Sequence, residues 1–139
     1  MKYFAKLDAD NKVVNTVVFG DDATEQSVTS FYNDGAVYKE YKLDDTSFRK
    51  NPAIIDGYYH PEADAFAKIQ IFPSWILNTE DYIYYPPIAM PDNNEETHFL
   101  TWDEENQRWL RDEITAEGFN KDPRVIEYWN PETQTWGAE

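Results

Sequence analysis

An eight-residue pattern with a bulky apolar residue at each end recurs along this chain and constrains its fold more than any other feature. The clearest copy lies within Thr101–Leu110, where Trp102 and Trp109 flank a polar run with an acid at the fourth position of the pattern. Such a run favours a type I turn, closed here by Asn106 in a left-handed conformation. The flanking aromatic residues then meet across two antiparallel strands. The pattern therefore predicts a short β-hairpin.

The same pattern occurs at four further places. It is clear in Trp129–Trp136, Tyr59–Phe66 and Leu77–Tyr84, and weaker in Leu7–Val14. In Trp129–Trp136 a proline stands at the turn corner that requires a φ of about −65°. The unequal spacing of the copies argues against a solenoid or propeller, which would keep a fixed period. We therefore expect a mainly β protein built as a string of short antiparallel hairpins.

Residues 21–35 follow a different pattern, which predicts the one short helix, near residues 22–33. Three residues at its start are candidate N-caps: Asp21, Asp22 and Thr24. Val28, Phe31 and Tyr32 fall on one helical face, so we expect the helix to lie across the first sheet. A further helical turn is expected from Asp112 to Gly118.

The length of 139 residues suits one small domain, with or without an appended module. The patterns divide it into three segments. These are a hairpin plus helix at 1–45, an aromatic hairpin-repeat region at 46–110, and a C-terminal extension with a final hairpin at 111–139. Four prolines between residues 72 and 92 predict an extended connection there, with its strands near a sheet edge.

The composition excludes several classes of function. The chain has 27 acids and 12 bases, a formal charge of −15, which disfavours direct nucleic-acid binding because phosphate contacts require clustered bases. The absence of cysteine excludes disulfides, thiol catalysis and cysteine-bound zinc. No apolar run reaches the roughly 18 to 20 residues of a membrane helix, and no signal peptide begins at Met1. We expect a soluble protein, made in a cytoplasm, with no membrane partner.

The sequence contains no pattern typical of an active site, a cofactor site or a metal site. We therefore expect no enzymatic activity, no cofactor and no bound metal. His60 and His98 are the only histidines, and His60 stands at a predicted turn corner. The run from Asp8 begins like a calcium loop, but Lys12 and Val13 occupy positions where that loop needs other residues. The acid at the fourth position of each hairpin is explained by the turn itself. A carboxylate pair for glycoside cleavage stays open, since no sequence reports the separation of two carboxylates.

Five tryptophans are the candidate contact residues: Trp75, Trp102, Trp109, Trp129 and Trp136. Three roles are open to them. They can stabilise hairpins, which are marginal without cross-strand rings. They can stack on sugars, or form an apolar patch that a neighbouring subunit completes. Hairpin stabilisation explains the placement of these tryptophans more economically than sugar stacking does.

Several short motifs follow one another along residues 2–20 and 46–110. They are Tyr3–Asp8 with Asn11 and Val13–Val14, Phe48–Asn51, Gly57–Tyr59 with Asp64–Phe66, Phe72–Trp75, Leu77–Asn78, Tyr85–Pro87 with Pro91–Asp92, and Thr101–Glu104 with Trp109. In this order the chain resembles a family of small virion structural and accessory proteins of marine tailed phages, especially T4-like and podovirus-like phages of cyanobacteria and other ocean bacteria. It departs from them at Ala53–Gly57, where the usual approach is rich in glycine, and in extending past Leu110.

The resemblance implies a bacteriophage virion protein that contacts capsid, neck or tail subunits in many copies, and it brings no catalytic residue. We expect an outer accessory such as a capsid decoration protein or a tail or fibre component. The acidic surface would repel other copies except where apolar patches meet. The alternative is a glycan-binding adsorption module that contacts the host surface.

Overall fold

The computed structural model describes all residues from 1 to 139. It contains eleven short strands in antiparallel sheets and one eight-residue helix, which confirms the mainly β prediction. That helix is much too short and polar to cross a membrane. The chain divides into two compact units: Met1–Ile71 with Leu77–Tyr85 is unit 1, and Phe72–Ile76 with Pro86–Glu139 is unit 2. The boundary therefore differs from the three segments expected from the sequence.

Unit 1 is organised on a three-stranded sheet. Its central strand is β1 (Lys2–Leu7), which pairs with β2 (Val13–Phe19) on one side and β3 (Val37–Tyr41) on the other, both antiparallel. Successive side chains of a strand point to opposite faces. Phe4 and Ala5 are both fully buried and pack into different clusters. Both faces of this small sheet are therefore covered.

The helix α1 (Glu25–Tyr32) covers one of these faces. Thr24 is its N-cap: the Thr24 hydroxyl accepts a hydrogen bond from the backbone N–H three residues later, in a capping box. Val28 is fully buried against the sheet, which confirms that the helix lies across it. Phe31 is 71% exposed and Tyr32 is 39% exposed. Val28 is therefore the only fully buried residue of the predicted apolar face, while Tyr32 stacks on the buried Tyr38 from outside.

The opposite face packs against a hairpin of β4 (Tyr59–His60) and β5 (Ala65–Phe66). The buried side chains on this side are Ala5, Leu7, Val13, Tyr41, Tyr59 and Phe66. A second hairpin joins β6 (Ile76–Asn78) to β7 (Ile83–Tyr85) as a separate two-stranded sheet. These strands do not extend the edge of a larger sheet.

Unit 2 is a four-stranded antiparallel sheet. Its strands are β8 (His98–Asp103), β9 (Arg108–Glu113), β10 (Ile126–Asn130) and β11 (Thr135–Gly137), in the order β11-β10-β9-β8. Two of the predicted hairpins, β8–β9 and β10–β11, thus lie side by side. The apolar side chains of both hairpins share one sheet.

The expected helical turn over Asp112–Gly118 is wrong. Asp112 lies in β9, directly opposite Phe99 on one side and Ile126 on the other. Beyond the strand, Ile114 forms an isolated antiparallel bridge with Asn120. The charged residues here suggested a helix locally, but partner strands on both sides satisfy the backbone of β9.

The hairpins share one turn geometry. In three of them the two end residues of the pattern stand directly opposite: Trp102 and Trp109, Trp129 and Trp136, and Tyr59 and Phe66. The residue at the sixth position is left-handed in the four clear copies: Asp64, Tyr82, Gln107 and Gln134. Gln107, and not the expected Asn106, therefore closes the turn between β8 and β9. Asn106 instead donates its side-chain amide to Asp103 at 3.0 Å.

Replacing Gln107 with glycine should raise the free energy of unfolding of unit 2 by about 0.5–1 kcal/mol. Glycine adopts positive φ without the steric cost that glutamine meets at φ 49°. Asn106→Gly should lower stability, because it removes the side-chain hydrogen bond to Asp103. Urea unfolding followed by tryptophan fluorescence measures both variants. Equal effects of the two substitutions would contradict the turn geometry.

Candidate functional site

Three of the five candidate tryptophans form a cluster inside unit 2. The ring centroids of Trp102 and Trp109 lie 5.1 Å apart, and Trp75 lies 6.3 Å from each. Trp102 and Trp109 are each only 5% exposed. Burial leaves these two rings no free face for a partner or a sugar, so they act as core residues.

Polar contacts fix this cluster in place. The Trp102 indole N–H donates to a carboxylate oxygen of Glu104 at 2.9 Å, and the Trp109 indole N–H donates to the Ile88 carbonyl at 2.8 Å. Glu104 also accepts hydrogen bonds from the Ser74 hydroxyl and backbone N–H. These bonds to Ser74 and Trp102 hold the pKa of Glu104 below its usual value. The same carboxylate thus positions the Ser74–Trp75 segment over the rings.

The other two tryptophans lie on the hairpin at the β11 end of the sheet. Trp129 and Trp136 face each other with centroids 5.2 Å apart, and both are half-buried. The guanidinium of Arg111 lies over the Trp136 ring at 4.4 Å. Arg111 also pairs with Glu127. Trp129 has no such cation over its ring and lines a surface pocket beside Pro131 and Gln134.

A groove runs along both sides of the segment Ile88–Asn93, and we call it the Met90 groove. One part, of about 520 Å³, lies between this segment and Trp129, Pro131 and Gln134. The other part, of about 710 Å³, is lined by residues of the segment and of β8 and β9: Met90, Pro91, Asp92, Asn93, Glu95, His98, Phe99, Leu100 and Trp109. The segment is tied to the sheet where Ile88 accepts the Trp109 indole N–H and where the Asn93 amide donates to the His98 carbonyl at 3.0 Å.

The lining of the Met90 groove combines exposed apolar groups with negative charge. Met90 is 65% exposed and Phe99 is 46% exposed. Asp92 and Glu95 line the groove and form no ion pair, and no lysine or arginine lines it. This surface has no counter-charge of its own.

All four bases of unit 2 are paired with carboxylates of the same unit. The pairs are Arg108 with Asp103 and Glu139, Arg111 with Glu127, Lys121 with Glu113, and Arg124 with Asp112. Lys121 beside Glu113 lowers the pKa of that carboxyl, and Arg124 lies against the buried Asp112 in a bidentate contact. The unit holds thirteen acids against these four bases, so its remaining carboxylates give it a strongly negative surface.

The histidines and the turn acids show no convergent arrangement. His60 lies 3.3 Å from Glu62, and a ring nitrogen of His98 lies 2.8 Å from the Thr97 hydroxyl. The fourth-position acids lie in exposed turns. No group of three or more His, Asp or Glu side chains is arranged to ligate a metal.

In unit 1, sequence reasoning missed the most connected side chain, Arg49. Its guanidinium donates to Glu25 of the helix at 2.6 Å and to the Glu40 carbonyl of β3 at 2.9 Å, and it pairs with Asp64 of the β4–β5 turn at 2.9 Å. Arg49 and Lys50 both have positive φ, of 55° and 69°. Non-glycine residues hold such a conformation only where surrounding contacts determine it. In the sequence Arg49 belongs to the Phe48–Asn51 motif, but no local pattern there indicates its distant partners.

The neighbouring Asn51 connects the hairpins of unit 1. It is 5% exposed, and its side-chain amide donates to the carbonyls of Phe66 at 2.9 Å, Asp81 at 2.8 Å and Tyr82 at 3.1 Å. One amide thus joins β5 to the turn before β7. Arg49 and Asn51 together tie the helix, the two hairpin turns and β5 to one another and to β3.

The Arg49–Glu25 contact predicts an acid-sensitive unit 1. Partial burial raises the pKa of Glu25, but hydrogen bonds from Arg49 and from the Glu40 backbone N–H outweigh it and leave that pKa lowered. A carboxylate with a lowered folded-state pKa stabilises the fold above its unfolded pKa, and this contribution is lost as pH falls through the folded value. We therefore expect the stability difference between wild type and Glu25→Gln to shrink as pH is lowered below about 4.5.

Far-UV circular dichroism during urea unfolding at several pH values measures this dependence. Glu117→Gln, at an exposed turn of unit 2, removes the same charge without an ion pair and is the matched control. A Glu25→Gln difference that stays constant from neutral pH to pH 3 would contradict the assignment.

Comparison with known proteins adds no assignment: no protein-family model, no curated protein and no solved structure matches the chain.

Proposed function

We propose that this chain is a bacteriophage virion structural protein that acts by protein–protein contact, as an outer accessory such as a capsid decoration protein or a tail or fibre component. The observation that supports this most is the set of large apolar side chains exposed on a strongly acidic surface. Apart from Met1, the most exposed are Phe31 and Phe119 at 71%, Met90 at 65%, Ile76 at 64% and Ile71 at 63%. A partner that covers such residues removes their apolar surface from water, which makes them candidate contact positions.

The charge supports an ordered assembly over free association. A chain with a formal charge of −15 repels other copies at most orientations. Contact is then favourable only where apolar side chains meet or where a partner supplies positive charge. We therefore expect the chain to bind only at defined sites on a larger particle.

Three carboxylates are engaged in holding the fold. Asp112, Glu25 and Glu104 each bind a neighbouring segment of the same chain. A structural protein requires this use of charge, and the phage-protein resemblance points the same way without bringing a catalytic residue.

The alternative, a glycan-binding adsorption module, has one observation in its favour. Trp129 borders the Met90 groove beside Asp92 and Gln134, and an aromatic ring beside polar groups is a common sugar-binding arrangement. Two of the rings on which that alternative depends, Trp102 and Trp109, are buried. The Arg111 guanidinium lies over a third, Trp136.

The test of the proposed function is electron cryomicroscopy of purified particles of the virus that encodes the chain, with mass spectrometry of the same particles. We expect the chain in many copies on the outside of the shell, the neck or the tail, with exposed apolar residues such as Phe31 and Phe119 against neighbouring subunits. Absence of the chain from the particles would refute the proposal. Binding of the isolated chain to host-surface glycans would then favour the adsorption module.

A further inference from the structure

We propose that the Met90 groove binds a cationic peptide segment that carries a large apolar side chain, contributed by a partner protein of the particle. This inference rests on the proposed function and names the chemistry of the partner. It follows from the two properties that the groove combines, apolar exposure and uncompensated negative charge.

The apolar part of the groove suits a bulky aliphatic or aromatic side chain. Met90, which is largely exposed, and Leu100 of β8 line it, together with the small exposed part of Trp109, whose side chain lies on the same face of the sheet as Leu100. Methionine is flexible and polarisable, so it adapts its shape to an inserted side chain. The volume of about 710 Å³ is within the range of sites that take small ligands or single side chains.

The charged part favours a cation over a neutral or acidic partner. Asp92 and Glu95 line the groove without an ion pair, whereas every lysine and arginine of unit 2 is already bound to a carboxylate of that unit. A lysine or arginine of the partner would find these two carboxylates free. Complementary charge of this kind accelerates encounter and selects among partners.

Two other occupants fit less well. A second copy of this chain brings a formal charge of −15 toward the same carboxylates, which opposes binding. A neutral glycan would use Trp129 and Gln134 but would leave Asp92 and Glu95 without a positive partner.

The experiment is a titration of the full-length, ¹⁵N-labelled chain with a fluorescein-labelled eight-residue peptide of alternating arginine and leucine. Two control peptides replace arginine by glutamate or leucine by serine. We expect chemical shift changes confined to residues 88–100, Trp109 and the Trp129 turn, with little response to either control peptide. Raising the salt concentration should weaken binding, because exposed ion pairs are screened.

Matched variants distinguish specific peptide binding in the groove from general attraction of a cation to an acidic surface. The double variant Asp92→Asn/Glu95→Gln should weaken binding about fivefold, since two exposed ion pairs contribute up to about 1 kcal/mol each. Glu105→Gln/Glu117→Gln removes the same charge at exposed turns outside the groove and should leave the affinity within about twofold. Met90→Ser should weaken binding of the arginine–leucine peptide and leave the residual response to the arginine–serine peptide unchanged.

Three results would overturn the inference. These are no binding by the arginine–leucine peptide, equal weakening by both double variants, and shift changes spread over the whole acidic surface. A neutral oligosaccharide that shifts the groove residues when the peptide does not would assign the groove to a glycan. The particle experiment is independent: a chain found in particles whose groove binds no cationic peptide retains the proposed function and loses only this inference.

Discussion

Replacing Trp109 with alanine is expected to destabilise unit 2 by about 3–5 kcal/mol, the range for loss of a large buried aromatic side chain. Trp109 is 5% exposed and contacts Trp102 and Trp75 in the cluster that the β8–β9 hairpin builds. The substitution leaves a cavity between these rings. It also leaves the Ile88 carbonyl without its indole donor, so the wall of the Met90 groove loses an anchor.

Urea unfolding followed by tryptophan fluorescence measures this effect in unit 2 alone, because all five tryptophans lie in that unit. Trp109→Phe keeps most of the packing and removes the hydrogen bond, and should cost about 1–2 kcal/mol. Trp129→Ala, at a half-buried ring on the outer hairpin, is the positional control and should cost clearly less than Trp109→Ala. Equal losses at Trp109 and Trp129 would show that the buried cluster is not the main core of the unit.

The second large effect is expected in unit 1, where Asn51→Leu should lower stability by about 3 kcal/mol. Leucine has the branched shape of asparagine and the same number of side-chain heavy atoms, but its methyl groups are bulkier and it donates no hydrogen bond. The carbonyls of Phe66, Asp81 and Tyr82 lose the amide that now joins them. The Tyr82 carbonyl keeps the Lys68 backbone N–H as a donor, whereas the Asp81 carbonyl has no other partner. A buried acceptor without a donor costs about 1–3 kcal/mol.

Because unit 1 contains no tryptophan, amide hydrogen exchange at β1, β3 and β5 is the suitable measurement. Protection of these amides should fall together in Asn51→Leu, since they belong to one packed unit. Asn120→Leu makes the same chemical change at an exposed position and should change stability by less than about 0.5 kcal/mol. Unchanged protection in Asn51→Leu would mean that the amide contacts are dispensable.

The hairpins and the helix were predictable from the sequence because their determinants are local. An apolar residue at each end of eight positions and turn-forming residues between them specify a hairpin without reference to the rest of the chain. The cross-strand pairs of Trp102 with Trp109 and of Trp129 with Trp136 confirm this. Thr24, one of three candidate caps, likewise begins the helix through a bond three residues away.

The two predictions that were wrong concern features that depend on contacts beyond the local segment or on backbone geometry. The run after Arg111 resembled a helical turn, but partner strands on both sides make its first two residues, Asp112 and Glu113, part of β9. Asn106 has the side chain that favours a left-handed backbone. It is instead hydrogen-bonded to Asp103, and the positive φ of this turn occurs at the next residue, Gln107.

The sequence by itself therefore determined the secondary elements and the acidic character of this protein. Only the tertiary structure decided which rings are buried, because burial depends on how separate hairpins pack. Trp102 and Trp109 look like Trp129 and Trp136 in sequence, but only the first pair is enclosed by Trp75 and the Ile88 segment. The roles of Arg49 and Asn51 could not be predicted either, because their partners lie up to about thirty residues away in the chain.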